Sequence, residues 1–344
     1  MKQDWIDFLQ KQGAGKGAVD FGNLGEELLR AQTGTVLAPL ADLALIRASG
    51  EEATLFLHNL LTNDIKGLRA DALQRNGFCN PKGRLLASFL VWHAGSDLML
   101  ALAADLHAAI LKKLSMYVLR SKVKLTDASS EFVLLGLSGE KAIDALVEIS
   151  PIPQASMTIS DFDQGQLLRL DEQRFVMAVS SSAAQQIWQK LAETAYPVGL
   201  SCWHWLEITS GLPLVMAATT EEFIPQMVNF DVIGGVSFKK GCYPGQEIVA
   251  RTQYLGKLKR RMYRAHLDAA TASPGDHLYA PETGEQSCGR VLDVALTPQG
   301  GQDMLAVIQS TCADAGKVHL GNPAGPGLRL LSLPYALPSE ETKS

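Results

Sequence analysis

A chain of 344 residues is too long for one ordinary core and predicts roughly two domains, with room for a third. Hydrophobic residues make up 47% and charged residues 19%, which excludes a disordered, charge-rich protein. Thirty-one Lys and Arg against 36 Asp and Glu leave a formal charge of -5, which argues against a surface that coats nucleic acid everywhere but leaves room for a local basic patch.

The N-terminal segment, with Trp5, Phe8 and Leu9 on one face, predicts a short amphipathic helix. Acids among its apolar residues and no cleavage-site pattern argue against a signal peptide. No apolar run reaches the ~18 residues of a bilayer span, since even Leu98 to Leu111 is broken by Asp105 and His107, so no membrane contact is expected. Thr35 to Arg47 reads as strands around Ala38-Pro39-Leu40-Ala41. Ser49-Gly50-Glu51-Glu52 opens a helix carrying Ala53, Phe56, Leu57, Leu60 and Leu61 on one face and ending near Thr62-Asn63-Asp64. Asn76 to Val91 predicts a hairpin around the turn Asn80-Pro81-Lys82-Gly83. Leu98 to Leu102 is a further strand, and Ala104 to Tyr117 a helix through Leu106, Ile110, Leu114 and Tyr117.

A second unit of similar pattern follows: a strand Phe132 to Leu137, then Ser138-Gly139-Glu140 capping a helix through Ile149. The echo of Ser49-Gly50-Glu51 suggests a duplicated strand and helix unit. Strands Leu167 to Leu170 and Phe175 to Val179 and a helix Ala183 to Ala192 complete it. Trp203 and Trp205 around Cys202 and His204 favour a buried alternating strand over a ligand pair. Beyond Arg251, short strands (Met262 to Leu267, Gly289 to Leu296, Met304 to Gln309) alternate with turn clusters, the signature of a small β-barrel or sandwich. The tail after Pro334, Glu340-Glu341-Thr342-Lys343-Ser344 included, is expected to fray.

The five cysteines, Cys79, Cys202, Cys242, Cys288 and Cys312, are odd in number, scattered and free of any C-x-x-C. That pattern points to a reducing, cytoplasmic setting and to no permanent metal. Cys242 stands apart. Pro244 at a first helical position, with Glu247 in the opening turn, places this thiol just before a helix N-terminus beside Lys239 and Lys240, and both features favour thiolate. The alternative is a small buried hydrophobe between turn glycines. Gln246, Glu247 and Arg251 either orient a ligand or cap and pair along a solvated helix face. Downstream, Arg251, Lys257, Lys259, Arg260, Arg261 and Arg264 bring six cations with no acid among them, suited to a phosphate backbone or a polyglutamate tail, or to a guarded strand edge.

The run Lys240-Gly241-Cys242-Tyr243-Pro244-Gly245-Gln246-Glu247, followed by Val249-Ala250-Arg251, resembles the signature of the YgfZ-type folate-binding proteins, relatives of the glycine-cleavage T-protein. Gly211-Leu212-Pro213, Pro225-Gln226, Asn229, Gly234-Gly235-Val236-Ser237-Phe238 and Leu61-Thr62-Asn63-Asp64 also fit. The resemblance implies an α+β, aminomethyltransferase-like fold: a first lobe over residues 24–130 completed by 205–250, a second over 131–204, and a C-terminal β-barrel over 251–335, around a cavity that accepts tetrahydrofolate. It implies Cys242 and Lys240 as the principal functional pair. The cofactor set is Asn63, Asp64, Asn80, Arg84, Glu207, Thr209, Gln226, Asn229, Tyr243, Gln246, Glu247 and Arg251.

The family's members look like accessory factors for iron–sulfur enzymes, a tRNA-methylthiolating one included. Contact with iron–sulfur enzymes or assembly factors is therefore expected, and contact with tRNA through Lys257, Lys259 and Arg261 is a further reading. Two departures separate the chain from a T-protein. Its hairpin runs into Ala87-Ser88 where that enzyme carries an acidic pair, so general acid–base work there loses its carboxylate. The carboxylate that grips the pterin edge is replaced by Thr209, with Glu207 two residues earlier on the same expected strand face. A folate-dependent methyl- or aminomethyltransferase or demethylase is the alternative enzyme reading.

Overall fold

The computed structural model describes residues 3–254, 258–268 and 271–338. The helices are α1 (Gln3–Lys11), α2 (Leu24–Thr33), α3 (Ala53–Leu60), α4 (Ala104–Ser115), α5 (Ala142–Leu146), α6 (Ala184–Leu191), α7 (Leu200–Thr209), α8 (Gln246–Tyr254) and α9 (Ser310–Ala315). The strands before α7 are β1 (Val36–Pro39), β2 (Leu43–Ser49), β3 (Leu73–Cys79), β4 (Leu85–Ala94), β5 (Asp97–Ala103), β6 (Lys124–Asp127), β7 (Phe132–Ser138), β8 (Thr158–Phe162), β9 (Gly165–Arg169), β10 (Arg174–Ser180) and β11 (Tyr196–Pro197). After it come β12 (Arg260–Leu267), β13 (His277–Tyr279), β14 (Ser287–Leu296), β15 (Gln302–Gln309), β16 (Val318–Leu320) and β17 (Gly327–Leu331). None of the described helices is long and apolar enough to cross a membrane.

The chain forms two compact units. One comprises Met1–Phe56, Lys66–Gln74 and Leu90–Trp203, the other Leu57–Ile65, Arg75–Phe89 and His204–Ser344. In the first, a six-stranded sheet runs in the order β11-β1-β7-β10-β9-β8. Strands β7 and β10 are buried along nearly their whole length, which is why both read as almost unbroken apolar runs. Trp5, Phe8 and Leu9 of α1 pack with Leu137, Phe175, Ile187 and Trp188, and the Trp5 ring meets Trp188 edge to face at 5.8 Å. A second set of antiparallel pairings joins β5 to β2, β2 to β6, and β5 to the Leu90–Ala94 part of β4.

The echoed Ser-Gly-Glu segments adopt the same local structure. Gly50 and Gly139 each follow the last residue of a strand with φ of +112° and +127°, and a Cβ on either would lie 2.2 Å from a backbone carbonyl oxygen, Lys122 O and Gly34 O respectively. Only glycine satisfies both the left-handed backbone and the close approach. A helix then begins within a few residues in each case, α3 at Ala53 and α5 at Ala142.

Three expectations are corrected. The stretch around Cys202 and His204 is helix α7, not a strand, and on a helix residues two apart are rotated by ~200°. Cys202 and His204, like Glu207 and Thr209, therefore leave the helix on nearly opposite sides. Helix α5 ends at Leu146 rather than continuing through Ile149. The segment after Pro334 is anchored at its start, because the Tyr335 hydroxyl donates to Gly211 O at 2.8 Å; Glu340 to Ser344 lie outside the described residues.

In the second unit β12-β15-β14-β13-β16-β17 close into a barrel, so no edge is left unpaired. Its interior holds Leu278, Val291, Met304, Ile308, Cys312 and Val318, all at most 1% exposed.

Glu27 of α2 is fully buried, and its carboxylate accepts from the backbone N–H groups of Phe21 at 2.7 Å, Gly199 at 2.9 Å and Asn23 at 3.3 Å. Replacing it by Leu would leave three donors without an acceptor, and with each such donor worth ~1–3 kcal/mol the variant is expected to lose ~3 kcal/mol or more of stability. Urea unfolding of Glu27→Leu and Glu27→Gln checks this: Leu should shift the midpoint well beyond Gln, and equal midpoints would contradict the assignment.

Candidate functional site

The site is built from the second unit's β3–β4 turn, the end of α3 and the segment 234–251. In the turn, Asn80 Oδ1 accepts from the N–H groups of Lys82 at 2.9 Å and Arg84 at 3.0 Å, while its amide donates to Glu221 Oε1 at 3.3 Å. The Arg84 guanidinium donates to Glu222 O. Gly245, at φ +79°, rests on this turn so closely that a Cβ would lie 2.4 Å from Asn80 O and 2.6 Å from Gly83 Cα. Asn80 and Arg84, expected as cofactor contacts, thus shape the seat on which the signature loop docks.

Lys240 is 8% exposed. Its ammonium donates to the carbonyls of His58, of Leu61 at 2.5 Å and of Asn63 at 3.1 Å. These are carbonyls at and just beyond the C-terminus of α3, where helical acceptors lack intrahelical partners and the dipole favours a cation. Its Nζ also stands 5.0 Å from the centre of the buried Tyr243 ring. Burial pulls the Lys240 ammonium down to about 8, with Asp64 opposing the shift. Burial also pushes the Tyr243 hydroxyl up, Cys79 adding to it. Lys240 is therefore an anchor between the signature loop and the end of α3.

Cys242 itself is exposed, whereas Cys79, Cys202, Cys288 and Cys312 are buried. Burial pushes the Cys202 and Cys288 thiols up to about 12 and Cys79 higher still. Cys242 is thus the accessible thiol, and the buried-hydrophobe alternative falls. Helix α8 starts at Gln246 rather than Pro244, with the Gln246 N–H donating to Tyr243 O at 3.1 Å. On α8, Glu247 and Arg251 are exposed and Gln246 half-buried.

Most of the other expected cofactor residues are engaged with the backbone. Asn63 brackets two segments, donating to Arg75 O at 3.0 Å and Gly234 O at 2.8 Å. Beside it, Thr62 Oγ1 donates to Gly235 O and accepts from the Gly77 N–H, both at 2.7 Å. Asp64 pairs with His58 Nδ1 at 3.1 Å. Asn229, in the left-handed conformation, donates to Met262 O at 2.9 Å. Thr209 back-bonds to Leu206 O at 2.9 Å. Gln226 donates to Val249 O at 2.6 Å, but its buried Oε1 has no partner among the described residues. Glu207 is half-buried on α7. No cluster of three or more His, Cys, Asp or Glu able to hold a metal occurs among the described residues.

Sequence reasoning missed the structural role of Ser88 and missed Asp231 altogether. Ser88 is buried and accepts from the Val215 N–H at 2.9 Å, so the hydroxyl standing at the expected acidic position is a structural acceptor. Asp231 takes Arg261 in a bidentate pair at 2.7 and 2.8 Å, both side chains nearly buried. Arg264 pairs with Asp303 at 2.7 Å. The basic strip over 251–264 is thus partly neutralised, and Arg261 is withdrawn from the expected RNA contact; Lys259 stays exposed, and Lys257 lies outside the described residues.

A closed C-terminal barrel, with the Lys240–Glu247 loop docked on a hairpin turn and carrying an accessible cysteine, defines an aminomethyltransferase-like fold. Residues 16–240 match the family model of the GCVT N-terminal domain. The tRNA-modifying protein YgfZ of Serratia proteamaculans (strain 568) is 30% identical over 310 residues, 89% of this chain and 94% of that protein. The YgfZ of Yersinia pestis (strain Pestoides F) matches with the same identity and coverage. Among solved structures, the glycine cleavage system aminomethyltransferase T from Bartonella henselae superposes with a TM-score of 0.80 at 19% identity, over 96% of both chains, a likeness of fold. The chain belongs to the GCVT-domain family, among its YgfZ-type members.

Two substitutions separate anchoring from chemistry. Gly245→Ala should destabilise by ~1 kcal/mol or more, since it strains a left-handed backbone and collides with the Asn80 turn, whereas Cys242→Ala at an exposed position should stay within ~0.5 kcal/mol of wild type. Thermal unfolding of the pair checks this ordering. Lys240→Met tests the anchor through pH. The native ammonium loses its proton near 8 and the unfolded one near ~10.4, so between these values the unfolded chain binds more protons and the wild type gains stability as pH rises. Wild-type stability minus that of Lys240→Met should therefore increase from pH 8 to 10; a flat difference would contradict it.

Proposed function

We propose that this chain is a tetrahydrofolate-binding accessory protein that supports iron–sulfur enzymes, tRNA modification among their products, and that it is not an aminomethyltransferase. The observation that carries the reading is the signature loop. Lys240 and Tyr243 are buried and Gly245 is seated on the Asn80 turn while Cys242 is left at the surface, and Ala87-Ser88, the serine hydroxyl buried, stand where the resemblance implies that aminomethyl transfer would need a carboxylate. The matched relatives are named tRNA-modifying proteins, and that role is carried over here.

The donor set fits a folate. A pterin edge offers adjacent N–H donors that a carboxylate matches, and a glutamate tail offers carboxylates that a guanidinium matches. Glu207 would take the first and Arg251 the second; Gln226 Oε1, buried without a partner among the described residues, is a further acceptor. When bound, tetrahydrofolate would supply a reduced pterin and its one-carbon positions. The protein's own residues bind and orient it, and Cys242 offers a nucleophilic sulfur on a backbone pinned on either side.

Titrating the purified protein with tetrahydrofolate tests the binding. Glu207→Gln removes a charged acceptor worth ~1.5–3 kcal/mol and should weaken affinity by about tenfold or more, while absence of binding by the wild type would overturn the folate assignment. The thiol is tested in cells lacking the native protein, by the fraction of tRNA carrying its methylthio group. Cys242→Ala should fail to restore it, and full restoration would remove Cys242 from the mechanism.

A further inference from the structure

A second basic segment lies in the first unit, where α4 leads into β6. Between Leu106 and Thr126 the chain carries Lys112, Lys113, Arg120, Lys122 and Lys124 and no acid. Lys122 pairs with Glu51 at 2.8 Å. The other four have no carboxylate partner among the described residues, and Lys112, Arg120 and Lys124 are exposed. On a protein of charge -5 this is an open local reversal of sign, unlike the partly neutralised strip at 251–264.

The same segment displays apolar groups outward. Met116 is 67% exposed, Tyr117 38% and Leu119 89%. Leu119 also holds φ at +44°, a strained setting for a residue with a branched side chain. Tyr117, Leu119, Arg120, Ser121 and Glu52 line an open concavity of about 720 Å³, ample for a nucleotide. Exposed apolar and aromatic surface ringed by cations marks an interaction site rather than a solvated loop.

We infer that this surface binds a single-stranded segment of RNA. Bases present flat faces that stack on an aromatic ring and on aliphatic neighbours, and phosphates follow a row of cations. Tyr117 and Leu119 supply the walls, while Lys112, Lys113, Arg120 and Lys124 supply the charge. Glu52, whose Oε2 accepts from the Lys122 N–H at 2.6 Å, is the one carboxylate in the concavity; it repels phosphate and faces a base's amino group instead. A membrane fits less well, because the apolar face of α4 (Leu106, Ile110, Leu114) is buried rather than turned outward. The inference goes beyond the proposed function, which requires no RNA contact by this chain and places its chemistry at Cys242.

The whole 344-residue chain is titrated against fluorescein-labelled oligouridine and an unmodified tRNA transcript by anisotropy, from 50 to 300 mM salt, where each single-strand phosphate contact contributes a log-slope of ~0.7. Arg120→Gln combined with Lys124→Gln should lower the slope by ~1.4. Tyr117→Ala should weaken binding about tenfold at fixed salt, with the slope unchanged, and Tyr117→Phe should retain it. No RNA binding by the wild type at 50 mM salt would overturn the inference. So would binding indifferent to Tyr117, equally strong poly-aspartate binding, or binding transferred to phosphatidylserine vesicles. Cys242→Ala should bind RNA like wild type and Tyr117→Ala should bind tetrahydrofolate like wild type, so the two proposals fail separately.

Discussion

The signature loop depends on one ammonium. Lys240 reaches the carbonyls of His58, Leu61 and Asn63 at the end of helix α3 and gives each a charged donor. The turn of the β3–β4 hairpin gives the loop its second fixed point through Gly245. Between these two points the backbone has little freedom, and the Tyr243 ring fills the space beneath. A lysine suits this task because its three donors on a compact head can meet three converging carbonyls, whereas a planar guanidinium presents its donors in a fixed fork.

This constraint explains the division of labour among the polar residues. Thr62, Asn63, Asn80, Asn229 and Gln226 look like ligand-binding side chains by type, yet each holds a backbone segment in place. Fewer side chains remain open to a ligand near α8: Cys242, Glu247 and Arg251 are exposed and Gln246 half-buried, while Gln226 keeps its Oε1 without a partner among the described residues. A short set of working groups on a heavily hydrogen-bonded support is the arrangement that keeps geometry tight without dedicated loops.

Much of the fold was legible because it rests on local chemistry. The Asn80-Pro81-Lys82-Gly83 turn, the alternating strands of the barrel and the apolar face of α3 after Ser49-Gly50 all follow from residue type and spacing. The aromatic-rich run at Cys202 misled, since Trp203 and Trp205 suit a strand by propensity, whereas tertiary packing holds them in a helix. The site was legible at Cys242, whose spacing to a proline and a helix is local. The inward turn of Lys240 and the capture of Arg261 by Asp231 were not, because both depend on partners 30 or more residues away. The α4–β6 basic segment is visible in the chain as readily as the 251–264 strip; only exposure and pairing separate them.

Ser88 limits what its position in the hairpin can hold. Its hydroxyl is already engaged by the Val215 N–H and enclosed by neighbours. An aspartate in its place would bring a longer side chain and a second oxygen with no donor into a dry site, a charge burial the fold has no partner for. Seating a carboxylate at this point would therefore take coordinated repacking of the hairpin and the Val215 segment rather than one substitution.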